Sequence, residues 1–290
     1  MSSISGSTRV LCLLGDPVDH SKSPAMYNTA FEKAGMDYVY LCFNVKKDQL
    51  KEAFEAARAL NFPGFSLTMP LKLEALQYID ELSPAVELME SVNTVRNDNG
   101  HLTGYNTDGY GMMESFRKHG ASIKGEKMTL MGIGGAGTAV ACQGALDGLE
   151  ELSVFSPKNG KSWGLAQEKV ARINEKTSCK ASLFDSNDYD ALREELASSN
   201  LVANCTPIGM GKLAGKTPIP DASFFHKDLI VQDAVYAPAE TEMLRLARQA
   251  GCTAFNGTHM LYNQGVMAFD IWTGKALPLT QEFVEDLATK

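Results

Sequence analysis

The chain has 290 residues, a formal net charge of −8, 44% hydrophobic residues and 21% charged residues. That length fits one large domain or two of about 150 residues, enough to bury a core without disulfides or metals. The balance excludes a disordered or low-complexity chain, and the acidic charge argues against a nucleic-acid or anionic-membrane surface. A local basic pocket for a small anion is still compatible with it.

No apolar run approaches the roughly 18 residues that cross a bilayer. The opening MSSISGSTRVLCLLGD lacks the basic, apolar and small-residue pattern of a signal peptide. The six cysteines, Cys12, Cys42, Cys142, Cys179, Cys205 and Cys252, are scattered with no C-x-x-C pair. Those spacings predict a reduced, metal-free, cytoplasmic protein.

In chain order, Val10–Leu14 reads as a buried strand ended by Gly15-Asp16-Pro17. Ser23-Pro24 opens a helix that closes at Gly35, with proline in the first turn and glycine past the end. Val39–Val45 reads as a second strand, Lys47–Leu60 as an amphipathic helix and Gly64–Thr68 as a third strand stopped at Pro70. This β-α-β-α-β rhythm predicts a largely parallel sheet. Asn99-Gly100, between the β-type runs Asn93–Arg96 and His101–Tyr105, predicts a hairpin. A helix from about Gly109 to Lys118 ends at Gly120, and a second unit starts at Lys127 with strand, glycine loop and helix. The segment from His259 onward reads as helical and contains Trp272; periodicity leaves open which unit it joins.

The glycine loop is the most specific local signal. Met128–Met131 is followed by Gly132-Ile133-Gly134-Gly135-Ala136-Gly137 and a helix-forming stretch from Thr138 to Leu149. This is G-x-G-x-x-G between strand and helix: Gly132 for the tight turn, Gly134 for close approach of a pyrophosphate, Gly137 for helix–strand packing. The helix N-terminus would hold the diphosphate. At the tip of the next strand, Ser156-Pro157-Lys158-Asn159 places no acid for the ribose hydroxyls of NAD and offers Lys158 to a 2′-phosphate. The expected cofactor is NADP or NAD, tilted toward NADP.

Polar residues concentrate where the strand pattern leaves loops: His20–Pro24, Thr68–Lys72, Asn93-Thr94 and Asn106–Asp108. In a parallel sheet the loops at the carboxyl ends of strands face one crevice. Here the chain resembles the shikimate dehydrogenase family, and within it the quinate/shikimate dehydrogenase branch. The resemblance rests on HSKSP at 20–24, LTMPLK at 67–72, VNT at 92–94, GYNTDGYG at 104–111, GIGGAG at 132–137, NCTPIGM at 204–210, DAVYAP at 233–238 and MLYNQ at 260–264.

The resemblance implies roles for individual residues. Ser21 and Ser23 bind a substrate carboxylate, and Thr68, Asn93, Asp108 and Gln264 hold ring hydroxyls. Tyr40 and Tyr236 line the pocket, and Lys72 is catalytic, paired with Asp108. Gly132, Gly134, Gly135, Ala136, Gly137, Ser156 and Lys158 hold the dinucleotide. Asn204, Thr206, Met210, Val235 and Gly257 lie near the nicotinamide. The chain departs from the family pattern at Ser66-Leu67, where Asn-Val is usual, and at the cofactor tip 156–159.

A lysine beside an alcohol oxygen can move its proton and, as ammonium, stabilise the developing alkoxide. Of the histidines, His20 reads as a support for the serine loop, while His101, His119 and His226 read as surface residues. The methionines Met112, Met113, Met260 and Met267 and the indole of Trp272 read as packing residues.

These readings predict an α/β protein. Residues 1–108, completed by helices in 259–290, form a substrate domain; residues 109–258 form a Rossmann domain, with the active site in the cleft between them. The resemblance implies NAD(P)-dependent interconversion of shikimate and 3-dehydroshikimate, with quinate and 3-dehydroquinate as a second pair; retention of both Ser21 and Ser23 favours shikimate. A small-molecule acid is the expected partner, with no nucleic acid or membrane, for a monomer or homodimer. An amino-analogue dehydrogenase and a non-catalytic sensor of the acid and a dinucleotide are the alternatives.

Overall fold

In the computed structural model, which describes residues 4–289, the chain forms two compact units. One comprises the described residues up to Thr107 together with Gly265–Ala288; the other is Asp108–Gln264.

In the first unit, strand β1 (Arg9–Gly15) has its last five residues buried, as an interior strand should. Helix α1 (Ser23–Lys33) carries Pro24 in its first turn and buries Met26, Tyr27, Ala30 and Phe31. Strand β2 (Tyr38–Asn44) follows. A 3-10 turn at Lys47–Gln49 then leads into helix α2 (Leu50–Ala59), which buries Leu50, Phe54 and Ala57 at helical spacing. Strand β3 (Gly64–Leu67), a two-residue strand β4 (Glu81–Leu82) and helix α3 (Pro84–Met89) come next. The Ser83 hydroxyl caps α3 by accepting the Val86 N–H. Strands β5 (Thr94–Asp98) and β6 (His101–Tyr105) form the expected hairpin, with Asn99 and Gly100 both at positive φ.

The sheet order is β2-β1-β3-β5-β6-β4. Three of its five pairings are parallel, in keeping with the β-α-β-α-β rhythm: β1 with β2, β1 with β3, and β4 with β6. β5 runs antiparallel to β3 and β6 antiparallel to β5. The physical reason is the Asn-Gly turn, since a two-residue connection can only return the chain antiparallel.

The second unit begins within helix α4 (Thr107–Lys118). It continues with β7 (Lys127–Met131), α5 (Gly135–Leu146), β8 (Glu151–Ser156), α6 (Trp163–Lys176) and β9 (Lys180–Asp185). Then come α7 (Tyr189–Ser198), β10 (Leu201–Asn204), β11 (Ile230–Asp233), α8 (Glu242–Gln249) and β12 (Thr253–Phe255). All pairings are parallel, and the order β9-β8-β7-β10-β11-β12 is the doubly wound arrangement of two half-sheets growing outward from β7 and β10. Met131, Phe155, Val202, Val231, Met243 and Leu244 form one core of this sheet. The winding reverses between β7 and β10, so their carboxyl-end loops diverge and leave a crevice.

Helix α9 (Thr258–Thr273) starts in the second unit and enters the first at Gly265 without a break; α10 (Gln281–Thr289) ends the described chain. The last turns of α9 pack on the first sheet. Phe269 stacks on Phe31, and Trp272 lies against Tyr27 and Tyr40. Its indole N–H donates to the Val95 carbonyl at 3.0 Å. A Cβ on Gly64 would stand 2.4 Å from the indole, so that close approach requires glycine. Trp272→Phe should destabilise the first unit by about 1–3 kcal/mol through the lost buried bond and packing. The expected result is a lower urea midpoint; an unchanged midpoint would show that the indole contributes nothing specific.

Candidate active site

Strand register gathers the polar residues of the first unit at one end of its sheet. Leu14 on β1 pairs with Leu67 on β3, Ser66 pairs with Thr94 on β5, and Thr94 pairs with Tyr105 on β6. Because β5 runs against β3, its start lies level with the end of β3. The loop after β1 with Ser21 and Ser23, the loop after β3 with Thr68 and Lys72, Asn93 before β5, and Asn106 and Thr107 after β6 therefore emerge at the same edge.

Asn93 is the knot of that edge. It is buried, and its backbone donates to the Tyr105 carbonyl while its own carbonyl accepts from the Leu67 N–H. Its side-chain oxygen accepts from the Thr94 hydroxyl at 2.9 Å and the Thr107 N–H at 2.9 Å. One residue, through backbone and side chain, thus joins β3, β5 and β6 to the start of α4, where Asp108 is the second residue. Lys72 is half-buried; its carbonyl accepts from the Val92 N–H, and fully buried Leu71 anchors the preceding turn. The Ser21 hydroxyl accepts the Ser23 N–H at 3.2 Å and hydrogen-bonds Cys42. Ser23 opens α1, whose N-terminal partial positive charge favours an anion.

Tyr40 departs from its expected place on a pocket wall. It is fully buried, its ring lies against those of Tyr27 and Trp272, and its hydroxyl donates to the Ser66 hydroxyl at 2.8 Å. The reason is its inward-facing position on β2. It also shows how the strand end is fixed where Ser66 stands in place of the family's asparagine.

In the second unit the glycine loop joins β7 to α5. Gly132 has φ +87°, and a Cβ on Gly137 would stand 2.1 Å from the Gly132 carbonyl oxygen, so both positions require glycine. Gly134 and Gly135 face open space and Ala136 is half-buried. The first-turn N–H groups of α5, directed out of the helix end, make a fitting cradle for a diphosphate. Ser156, ending β8, is buried and shares a hydrogen bond with Ser162. Lys158 is exposed, and its backbone N–H is tied to the Asp185 carboxylate at the end of β9.

At the ends of β10 and β11, Asn204 and Asp233 are both fully buried. Asn204 donates to Asp233 at 2.9 Å and accepts from the Thr206 N–H and hydroxyl at 3.0 and 2.7 Å. Val235 is buried, and its carbonyl accepts from the Gly257 N–H. Met210 and Tyr236 are 47% and 40% exposed, one on each loop. Gln264, half-buried in α9, lies against Gly111 of α4. Among the predicted substrate-binding and catalytic residues, Asp108, Tyr236 and Gln264 belong to this second unit.

Asp233 opens the DAVYAP motif, which by itself assigns it no role. The signal for one is an acid ending the apolar run Leu229–Val231, where a carboxylate must be hydrogen-bonded. His119 and His226 correct the surface reading: His119 stacks on Phe255 at 3.8 Å, and the His226 ring bonds the Ser199 carbonyl. Met112, Met113 and Met260 are buried, and Met267 is half-buried. All six cysteines are free thiols. Burial pushes Cys12 up to about 12 and Cys179 and Cys252 up to about 11, away from the thiolate form. Among the described residues, no group of three or more His, Cys, Asp or Glu is placed to hold a metal, and no helix is long and apolar enough to cross a membrane.

A doubly wound sheet with this glycine loop, in a chain whose other sheet gathers serine, threonine, asparagine and lysine at one edge, defines an NAD(P)-dependent oxidoreductase. Comparison with known proteins gives the particular family. Residues 13–95 match the model for the shikimate dehydrogenase substrate binding domain. Shikimate dehydrogenase (NADP(+)) of Listeria innocua is 45% identical over 95% of this chain and 94% of its own length. Quinate/shikimate dehydrogenase of Escherichia coli is 40% identical over 98% of each chain. The crystal structure of shikimate 5-dehydrogenase from Listeria monocytogenes, in complex with shikimate and NAD, superposes with TM-score 0.95 at 43% identity and covers 99% of both chains. The chain belongs to the shikimate dehydrogenase family.

Desolvation raises the Asp233 carboxyl to about 6, against the lowering effect of its hydrogen bonds from Thr241, Val235 and Asn204. Between about pH 4 and pH 6 the folded state therefore binds more protons than the unfolded state, and stability falls as pH rises through that window. The loss above it is roughly 3 kcal/mol. Asp233→Asn carries no such titration, so its stability relative to wild type should rise between pH 4 and pH 7 in denaturant titrations. A flat difference would contradict the burial argument.

Proposed function

We propose that this chain interconverts shikimate and 3-dehydroshikimate, and quinate and 3-dehydroquinate, at the C3 position, with Lys72 and Asp108 moving the proton. Support comes from sequence identity with shikimate dehydrogenases across almost the whole chain. The observation that carries the residue assignment is the register that brings Ser21, Ser23, Thr68, Lys72 and Asn93 to one edge.

The acid is held by the residues gathered at that edge. The Ser21 and Ser23 hydroxyls donate to its carboxylate, helped by the partial positive charge at the start of α1. Thr68, Asn93, Asp108 and Gln264 hold the ring hydroxyls, and Tyr236 closes one side. Lys72 takes the proton of the reacting hydroxyl during oxidation and returns it during reduction, its ammonium form stabilising negative charge on that oxygen. Asp108 orients the ammonium and the hydroxyl. The bound nicotinamide supplies the hydride-carrying chemistry.

Gly132, Gly134, Gly135, Ala136 and Gly137 hold the diphosphate. Ser156 and Lys158 meet the adenosine ribose, where the Lys158 ammonium favours the 2′-phosphate of NADP without excluding NAD. Asn204, Thr206, Met210, Val235 and Gly257 surround the nicotinamide. The protein acts in the cytoplasm, as a monomer or homodimer; the six free thiols fit a reducing compartment.

Lys72→Ala should lower kcat for shikimate oxidation at least ~100-fold while changing the shikimate KM far less, the pattern of a lost proton-transfer group. Retention of more than a tenth of the wild-type kcat would remove Lys72 from that role. Lys158→Ala should reduce kcat/KM with NADP about tenfold, the scale of one charged contact, and leave NAD turnover nearly unchanged. Equal losses with both dinucleotides would place Lys158 away from the 2′-phosphate.

A further inference from the structure

We propose that Asp233 is a positioning residue for dinucleotide binding: its carboxylate holds the loops after β10 and β11 in the arrangement that receives the nicotinamide half. The inference rests on the dinucleotide reading of this unit.

The carboxylate accepts hydrogen bonds from three separate places. One oxygen takes the Asn204 amide at 2.9 Å and the Val235 N–H at 3.0 Å; the other takes the Thr241 hydroxyl at 2.7 Å. Those donors stand at the end of β10, on the loop after β11 and at the N-cap of α8. Asn204 passes the constraint on by donating to the Ile208 carbonyl and accepting both donors of Thr206. Gly209, at φ +107°, lies close under Thr241 and the Asp233 carboxylate.

The same loops touch the glycine loop and the start of α9. A Cβ on Gly132 would meet the Thr206 methyl at 2.6 Å, and one on Gly137 would meet the Cys205 side chain at 3.3 Å. The Val235 carbonyl accepts from Gly257. The two loops also leave Met210 and Tyr236 largely outside the core. Each side chain is carried on a loop fixed by these hydrogen bonds. A displacement of either loop would move one of them relative to the diphosphate cradle.

A buried carboxylate is a costly way to join loops, since an unpaired charge there would be strongly destabilising. Its advantage is geometric, because two oxygens accept three donors at once. An asparagine can reproduce this. Its oxygen faces Asn204 and Val235 while its amide donates to the Thr241 hydroxyl, which can turn to accept. An alanine cannot.

The test uses steady-state kinetics of the full chain with shikimate and NADP. Asp233→Ala should raise the NADP KM at least about tenfold, as expected for several lost buried bonds, and the shikimate KM by a smaller factor, through Tyr236 on the same loop. Asp233→Asn should restore the NADP KM to within about threefold of wild type. Should the alanine variant not fold, Thr241→Val removes one donor and should raise the NADP KM about three- to tenfold. A uniform fall in kcat with both KM values unchanged would overturn the proposal and leave Asp233 a purely structural group. An NADP KM raised as much by asparagine as by alanine would also overturn it, since geometry would then not be the cause. Absence of shikimate turnover in the wild-type control would refute the functional reading instead; NADP binding by the same variants, followed by fluorescence, would then still decide the role of Asp233.

Discussion

A buried polar group must find hydrogen-bond partners, and in both units of this chain that requirement shapes the loops at the carboxyl end of a sheet. In the first unit the group is Asn93, whose backbone and side chain together bind the ends of β3, β5 and β6 and the beginning of α4. In the second it is Asp233 with Asn204, joining the loops after β10 and β11 to the cap of α8. Neither knot would be stable half-made, because each lost bond leaves a donor or acceptor stranded in the core. The loops that carry chemistry are therefore held by rigid strand ends.

The two sheets reach this state by different routes. The doubly wound sheet places its loops by topology, since reversal of the winding between β7 and β10 opens a crevice whatever the side chains are. The glycine loop then lines that crevice, with the Gly132–Gly137 approach allowed only without side chains. The mixed sheet places its loops by register. Insertion of the β5–β6 hairpin beside β3 brings Asn93, Asn106 and Thr107 level with the lysine and serine loops. A wholly parallel sheet would have needed a crossover helix to do the same.

Local signals were legible in the sequence and long-range ones were not. Proline at the start of α1, the Asn-Gly hairpin and the strand–glycine loop–helix unit each act over a few residues, so their chemistry can be read directly. Where the hairpin joins the first sheet is hidden, because the β-α-β-α-β rhythm ends just before it. The short strand Glu81–Leu82 has no periodicity to read. Tyr40 shows the same limit at the site: a tyrosine on a strand can face a pocket or a core, and only the rings of Tyr27 and Trp272 decide for the core. Asp233 was equally obscure, since its three donors come from three segments.

A working dehydrogenase for a hydroxylated ring acid must turn over substrate as well as bind dinucleotide. Initial rates with shikimate and quinate, each paired with NADP and NAD, test this most directly through the absorbance of the reduced nicotinamide. Turnover of shikimate with NADP, saturable in both, is expected. Measurable dinucleotide binding with no turnover in any of these combinations would contradict it, and would leave a protein that binds without catalysing this reaction.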